Sequence, residues 1–351
     1  MLVGGLPVIS AGAILTGTTA DVVSYAAANA QTGARMASLR IEFTRIADQN
    51  GHAEPIACVL VAVDNARETV DSAGVVTGID PSQTYEAQLN RAIDKLQTRA
   101  SGLAQLLEGV ESSIVKQVDA SIDYKPGVEL TLKLTNPLVW NFAPAAKPLP
   151  PVRPASEIDR LVNSEPFRTI AQRPPEPSDL TNIMLIGAQQ EIEVAFQAAG
   201  WFPAAALSRS SKIETARAMI EDRGYSEAPM SILLLQGRPT DLALQNQNNT
   251  FARRHHIRIW RMPQIFDGKP VWVGAATHDI KITFSPESRS FTHGIDSKID
   301  LERSNVVDDL LFTGMVRACS LVPRTNIPRD LSNATGDQLI TDGKMAVLEF
   351  Q

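Results

Sequence analysis

The stretch from Ala252 to Arg261, "ARRHHIRIWR", sets two adjacent histidines among arginines and runs up to a tryptophan. Four of the chain's five histidines fall between positions 255 and 293: His255, His256, His278 and His293. Imidazole trades protons near neutral pH and ligates metals, whereas guanidinium stays charged and holds anions. Two chemistries fit these residues. One is general acid/base catalysis by a set drawn from His256, His278, Asp279, His293 and Asp296, beside an anion clamp of Arg254, Arg258 and Arg303. The other is a divalent metal held by two histidines and a carboxylate, a set used by zinc and non-haem iron. His278, His293, Asp296 and Asp300 are the candidate ligands. A solvated polar strand accounts for the same residues with no chemistry at all. No HExxH spacing, phosphate-loop lysine or GxSxG elbow narrows the choice.

These side chains must be positioned by strands. Alternation puts Arg254, His256, Arg258 and Trp260 on one face, and Arg253, His255, Ile257 and Ile259 on the other. In "VWVGAATHD" one face carries Trp272, Gly274, Ala276 and His278, and the other Val271, Val273, Ala275 and Asp279. A hairpin about "MPQIFDGK" that sets Trp260 beside Trp272, Arg258 beside Gly274 and Arg254 beside His278 buries the Ile and Val side. Its other face then gathers arginines, histidines and two tryptophans above the small residues Gly274 and Ala276. That face has room for a small anionic ligand, with Trp260 and Trp272 as its platform. "DSKIDLERSNVVDDLLFTGMV" predicts a helix just after His293, with Ser297 and Asp300 in capping-box spacing. Asp296, Asp300 and Arg303 fall on one face of it, so that helix could bring a carboxylate over the sheet.

The rest of the chain supplies the frame. Its 351 residues make two domains the natural expectation, and 44% hydrophobic content supports a sizeable core. A net charge of −6 argues against a general nucleic-acid binder. Cys58 and Cys319 match no metal-ligand spacing and read as buried free thiols. No apolar run approaches the ~18 residues that a membrane span requires. The apolar start lacks a positive n-region, so the natural protein is expected to begin upstream, with an export signal that is missing here.

"NFAPAAKPLPPVRPAS" (141–156) holds five prolines and predicts an extended linker between domains 1–140 and 157–351. Residues 157–172 beyond it read as a surface segment. The first domain reads as β-rich: "ILTGTTADVV", "SLRIEFTRIA", "PIACVLVAVDN", "GVVTGID" and "KPGVELTLKLTNPLV" predict strands of a small barrel or sandwich. A helical period over about residues 84–120 predicts a long helical insertion. The second domain reads as mixed α and β around an antiparallel sheet, making the whole α+β. Its expected helices run from an Asp179 N-cap to Gly200 and over "SKIETARAMIEDRG". "SILLLQG", "TDLALQNQ", "ACSLVP" and "MAVLEF" are its further strands.

In order, "SRSSKIETARAMI", "LLLQGRPTDLALQ", "RRHHIRIWR", "GKPVWVGAATHDI" and "THGIDSKIDLERS" resemble the signature blocks of the LssY-like C-terminal domain, over roughly residues 160–325. "ISAGAILTG" and "PGVELTLKL" are similar to barrel segments of TrbI-like conjugation-channel proteins. The first resemblance implies a bacterial envelope-associated protein, placed in the periplasm or cell envelope with the cytoplasm left open. Some members of that family are fused to DedA-like and phosphatidic-acid-phosphatase-type membrane domains, which are replaced here by a soluble β domain. The resemblance implies no particular reaction. Three functions follow as expectations: a hydrolase acting on a phosphate- or carboxylate-bearing molecule such as a lipid headgroup, a non-catalytic module binding such an anion, or an assembly component with an envelope protein partner.

Overall fold

In a computed structural model of the chain, the structure describes residues 2–3, 6–7, 9, 12–27, 33–64, 68–81, 120–124, 128–142, 149–172, 174–204, 232–246, 254–285, 290–325, 327–328 and 330–351. Within the N-terminal half, the alternating runs form strands where their period predicts them. Ile14–Val23 (β1), Ser38–Ala47 (β2), Cys58–Val63 (β3), Val75–Thr77 (β4) and Leu130–Leu134 (β5) are the main ones. β1, β2 and β4 lie in one sheet, while β3 pairs with β5 in a separate ribbon. Leu60, Val63 and Val76 are buried between them, against Leu39, Ile41, Val128, Leu130 and Leu132. The sheets stay open, so the expected barrel does not close among the described residues. The expected helical insertion at 84–120 lies almost wholly outside those residues, as does the helix expected over "SKIETARAMIEDRG".

The proline-rich connector is docked where it is described. The Cys319 N–H donates to the Pro150 carbonyl at 3.0 Å, and the Val152 N–H to the Ser320 Oγ at 2.9 Å. It thereby covers a sheet edge that would otherwise present unpaired backbone groups. The segment after it is no surface strip: Ala155–Ser164 is a helix, α1, whose Ile158 and Val162 are buried one turn apart.

The C-terminal half is built on one mixed sheet. Its elements include Pro177–Leu180 (β6), Ile183–Ile186 (β7), helix Gln189–Ala198 (α2), Trp201–Pro203 (β8) and Leu242–Asn246 (β9). Arg254–Phe266 (β10), Lys269–Ser285 (β11), Ser290–Ile295 (β12), helix Ile299–Phe312 (α3), Val316–Pro323 (β13) and Lys344–Phe350 (β14) follow. The strand order is β8-β9-β10-β11-β7-β14-β13, with β12 on the far part of β11 and β6 in a separate small sheet. Among the described residues, only the β7–β14 pairing within it is parallel.

The helix expected to start at Asp179 begins ten residues later. "IMLI" is buried on both faces and becomes a central strand, as continuous apolar runs do. Gly200, at φ +83°, still closes the helix. α3 lies where it is expected, but Lys298 is its N-cap and no side chain caps it, so the Ser297–Asp300 capping box is not formed. Trp260, Met262, Val271, Val273 and Ala275 pack on one side of the sheet, and Ile257, Ile259, Trp272 and Ala276 on the other. No described helix is long and apolar enough to cross a membrane.

Candidate metal centre

The β10–β11 hairpin forms, but one residue out of the expected register. Arg254 faces Asp279, His255 faces His278, Arg258 faces Ala275 and Trp260 faces Val273. A one-residue slip exchanges every side chain between faces. Arg254, His256, Arg258 and Trp260 therefore share a side with Val273, Ala275, Thr277 and Asp279, while His255, Ile257 and Ile259 share one with Gly274, Ala276 and His278. The room expected above Gly274 is filled, since a Cβ there would lie 2.9 Å from Ile257 Cδ1. The physical reason is that both faces of this sheet are covered, so neither can serve as an open polar platform.

On the first side, the residues expected to clamp an anion are buried among acids. Arg254 donates to Asp279 Oδ2 from Nε at 3.0 Å and from Nη2 at 2.8 Å. Arg258 Nη1 lies 3.4 Å from Asp179 Oδ2. His256 Nε2 shares a 2.8 Å hydrogen bond with Thr277 Oγ1. Burial pushes His256 down to about 3, against the pull of Asp279, and pushes the Asp179 carboxyl up against the pull of Arg258. These groups form a closed ionic network.

The tryptophans and helix acids hold the fold in the same way. Trp260 Nε1 donates to the Arg238 carbonyl, and Trp272 Nε1, on the opposite side, to that of Gly187. Asp296 accepts from the Lys298 N–H at 2.9 Å in a turn. Arg303 bridges Asp300 at 3.0 Å and Asp342 at 2.8 Å, tying α3 to the chain before β14. The backbone of His293 pairs with Ile282, and its side chain lies outside what is described.

On the second side, two histidines stack at the polar end of the hairpin. The rings of His255 and His278 lie 4.0 Å apart at 11°. Both direct Nε2 at Asp64 Oδ2, from 2.6 Å and 3.3 Å respectively. Asp64 follows β3 of the N-terminal half, so the site is made from both halves. The ligand atoms of Asp64, His255 and His278 all lie within 4.8 Å of one another, a grouping that can hold a metal ion. Glu129, just before β5, places Oε2 3.6 Å from His255 Nε2, and its Oε1 accepts from Asn246 at 3.2 Å.

Helix α3 orients His255. Glu302 Oε2 lies 2.7 Å from His255 Nδ1, with Asn305 one turn on at 3.4 Å. A carboxylate on Nδ1 fixes the ring and aims Nε2 at a metal position, the usual outer support of a metal-bound histidine. Without a metal, both ring nitrogens of His255 face carboxylates. Burial favours the neutral ring, but Glu302 and Asp64 outweigh it and raise His255 well above its ordinary value. Burial would raise Asp64, yet the hydrogen bond from His255 and the nearness of the His278 ring hold it far below the carboxylate range. His278 Nε2 is buried and, despite its distance to Asp64, makes no hydrogen bond. An unsatisfied buried nitrogen aimed at a carboxylate that a second imidazole also faces is what a metal ligand set looks like without its ion.

Of the residues singled out from sequence, only His278 belongs to this centre. His255 falls on the core side of the expected hairpin, and neither Asp64 nor Glu129 is among the residues that the sequence marks. Asp64 stands 191 positions before His255. Its one local signal is that it closes the strand "CVLVAV".

The family described as LssY C-terminus matches residues 167–345, which include His255, His278 and Glu302 but neither Asp64 nor Glu129. No curated protein and no solved structure matches.

Proposed function

Since the chain belongs to the LssY C-terminus family, we propose that it is a bacterial cell-envelope protein that uses a divalent metal to hydrolyse a phosphate- or carboxylate-bearing molecule such as a lipid headgroup. The convergence of Asp64, His255 and His278 carries this reading. Three protein ligands leave positions open for water and substrate, the pattern of catalytic zinc sites and of two-histidine, one-carboxylate iron sites. A cation held there supplies Lewis-acid polarisation of a phosphoryl or carbonyl oxygen and of a water molecule. Arg254 and Arg258 are engaged by Asp279 and Asp179, so an anionic substrate would be held by the metal and not by an arginine clamp. Glu302 keeps His255 oriented, and Glu129, with Oε2 3.6 Å from His255 Nε2, would accept a proton from a bound water. The envelope location rests on the family's company.

The test begins with the full chain stripped by chelator and titrated calorimetrically with Zn(II) and Mn(II). One equivalent should bind, and His278→Ala should abolish binding while leaving the fold intact. The loaded chain should cleave 4-nitrophenyl phosphate or 4-nitrophenyl acetate, and the stripped chain should not. Failure to bind any stoichiometric metal would sink the reading. A second reading, a non-catalytic binding or assembly module, is favoured by the ionic bonds that His255 already makes to Asp64 and Glu302 without a metal. Stoichiometric metal with no turnover on either ester would select it.

A further inference from the structure

Resting on the metal reading, we infer that the N-terminal half completes the centre and that the metal in turn ties the two halves together. The ligands divide unevenly between the halves. His255 and His278 come from one hairpin, and Glu302 from the helix over it, all inside the family match. Asp64, which faces both Nε2 atoms, and Glu129, which faces that of His255, lie outside that match, on β-strand ends of the N-terminal half. The family domain alone therefore offers two stacked imidazoles and one supporting carboxylate, which is one ligand short of a three-ligand site. A carboxylate from a neighbouring module supplies the third.

The junction is placed to make that contribution specific. Glu129 is held by Asn246, so β5 is fixed against the end of β9. The Asp64 N–H donates to the Glu129 carbonyl at 2.9 Å, which links the two acidic positions within the N-terminal half. Asp64 and Glu129 therefore arrive at the histidines as one unit. A cation bound by all three ligands forms bonds across the junction that neither half can form alone. By thermodynamic linkage, the factor by which the N-terminal half tightens metal binding equals the factor by which metal tightens the docking of the halves.

Asp64→Asn in the full chain, near-isosteric and in a partly exposed turn, tests the inference. Zn(II) affinity should fall at least about tenfold, since even outer-shell partners of a metal site carry effects of about that size. A second measurement uses the otherwise unaltered chain with a protease site inserted after Phe142. Once cut, the halves should associate more tightly in Zn(II) than in EDTA. Asp64→Asn binding zinc as well as the native chain would overturn the inference, as would cut halves that associate equally with and without zinc. If the native chain binds no zinc, the metal reading itself has failed. If the native chain and Asp64→Asn both bind it, only the shared site has.

Discussion

The arginines at 254 and 258 show how residue type alone misleads about role. Alternating arginine and histidine along a strand looks like an anion site, yet here each arginine neutralises an acid that the fold has buried. Removing one partner of a buried pair strands the other, which costs about 3–5 kcal/mol. Arg254→Ala should therefore lower stability by about that much, because Asp279 would remain at 2% exposure without its guanidinium. Replacing both residues by apolar side chains of similar volume should recover most of the loss. Urea unfolding of the two variants measures this. An Arg254→Ala protein as stable as the native one would show that the pair is solvated. The contrast with His278 separates the two sides of the hairpin: His278→Ala should lose metal and keep its fold, whereas Arg254→Ala should keep its metal ligands and lose stability.

At the level of elements, the register of β10 and β11 decides which residues meet. Ile257 fills the place where a side chain at position 274 would stand, and the structure leaves no slack there. Gly274→Val should cost about 1–3 kcal/mol by overpacking, and a compensating Ile257→Ala should restore part of that. Additive losses in the double variant, read from thermal unfolding, would mean that the two side chains do not compete for this space. Strand and helix periods were legible in the sequence: β1 and β2 span the ten residues whose alternation predicts them, and α3 and β14 fall where expected. The register was not legible. "RRHHIRIW" and "VWVGAATH" pair acceptably either way when only one side is required to be apolar. The choice is made by apolar partners on both sides, including α2 and α3 on the Trp272 side and α1 on the other. The run "IMLI" falls inside the expected helix for a related reason, since a strand buried on both faces loses its alternation. Asp64 could not be read at all, because nothing near it in sequence hints at two histidines brought to it by tertiary folding.

For the whole molecule, stability as a function of pH draws on groups that the fold buries in opposite states, among them His256 and Glu165. His256 is held neutral, down to about 3, whereas an unfolded histidine titrates near 6.5. Its folded state binds fewer protons than its unfolded state, so its contribution is full above about pH 6.5 and is lost as the pH falls toward 3. Glu165, after α1 and beside Arg324, has the opposite sign. Neither of its carboxylate oxygens makes a hydrogen bond, and burial pushes it up to about 7 despite the Arg324 charge. The folded state prefers it protonated, so it costs little below about pH 4.5 and progressively more as the pH rises through 7. The native chain should therefore be most stable between these two limbs. His256→Gln, which can still bond Thr277, should flatten the acid limb without moving the alkaline one. Glu165→Gln should leave the acid limb alone and stabilise the chain above pH 7 by about 1–3 kcal/mol. Chelated protein unfolded in urea across pH 4 to 9 gives both limbs in one series. A Glu165→Gln protein that gains nothing at alkaline pH would show that the carboxyl is solvated or paired with Arg324, and the alkaline limb would then have to come from elsewhere in the molecule.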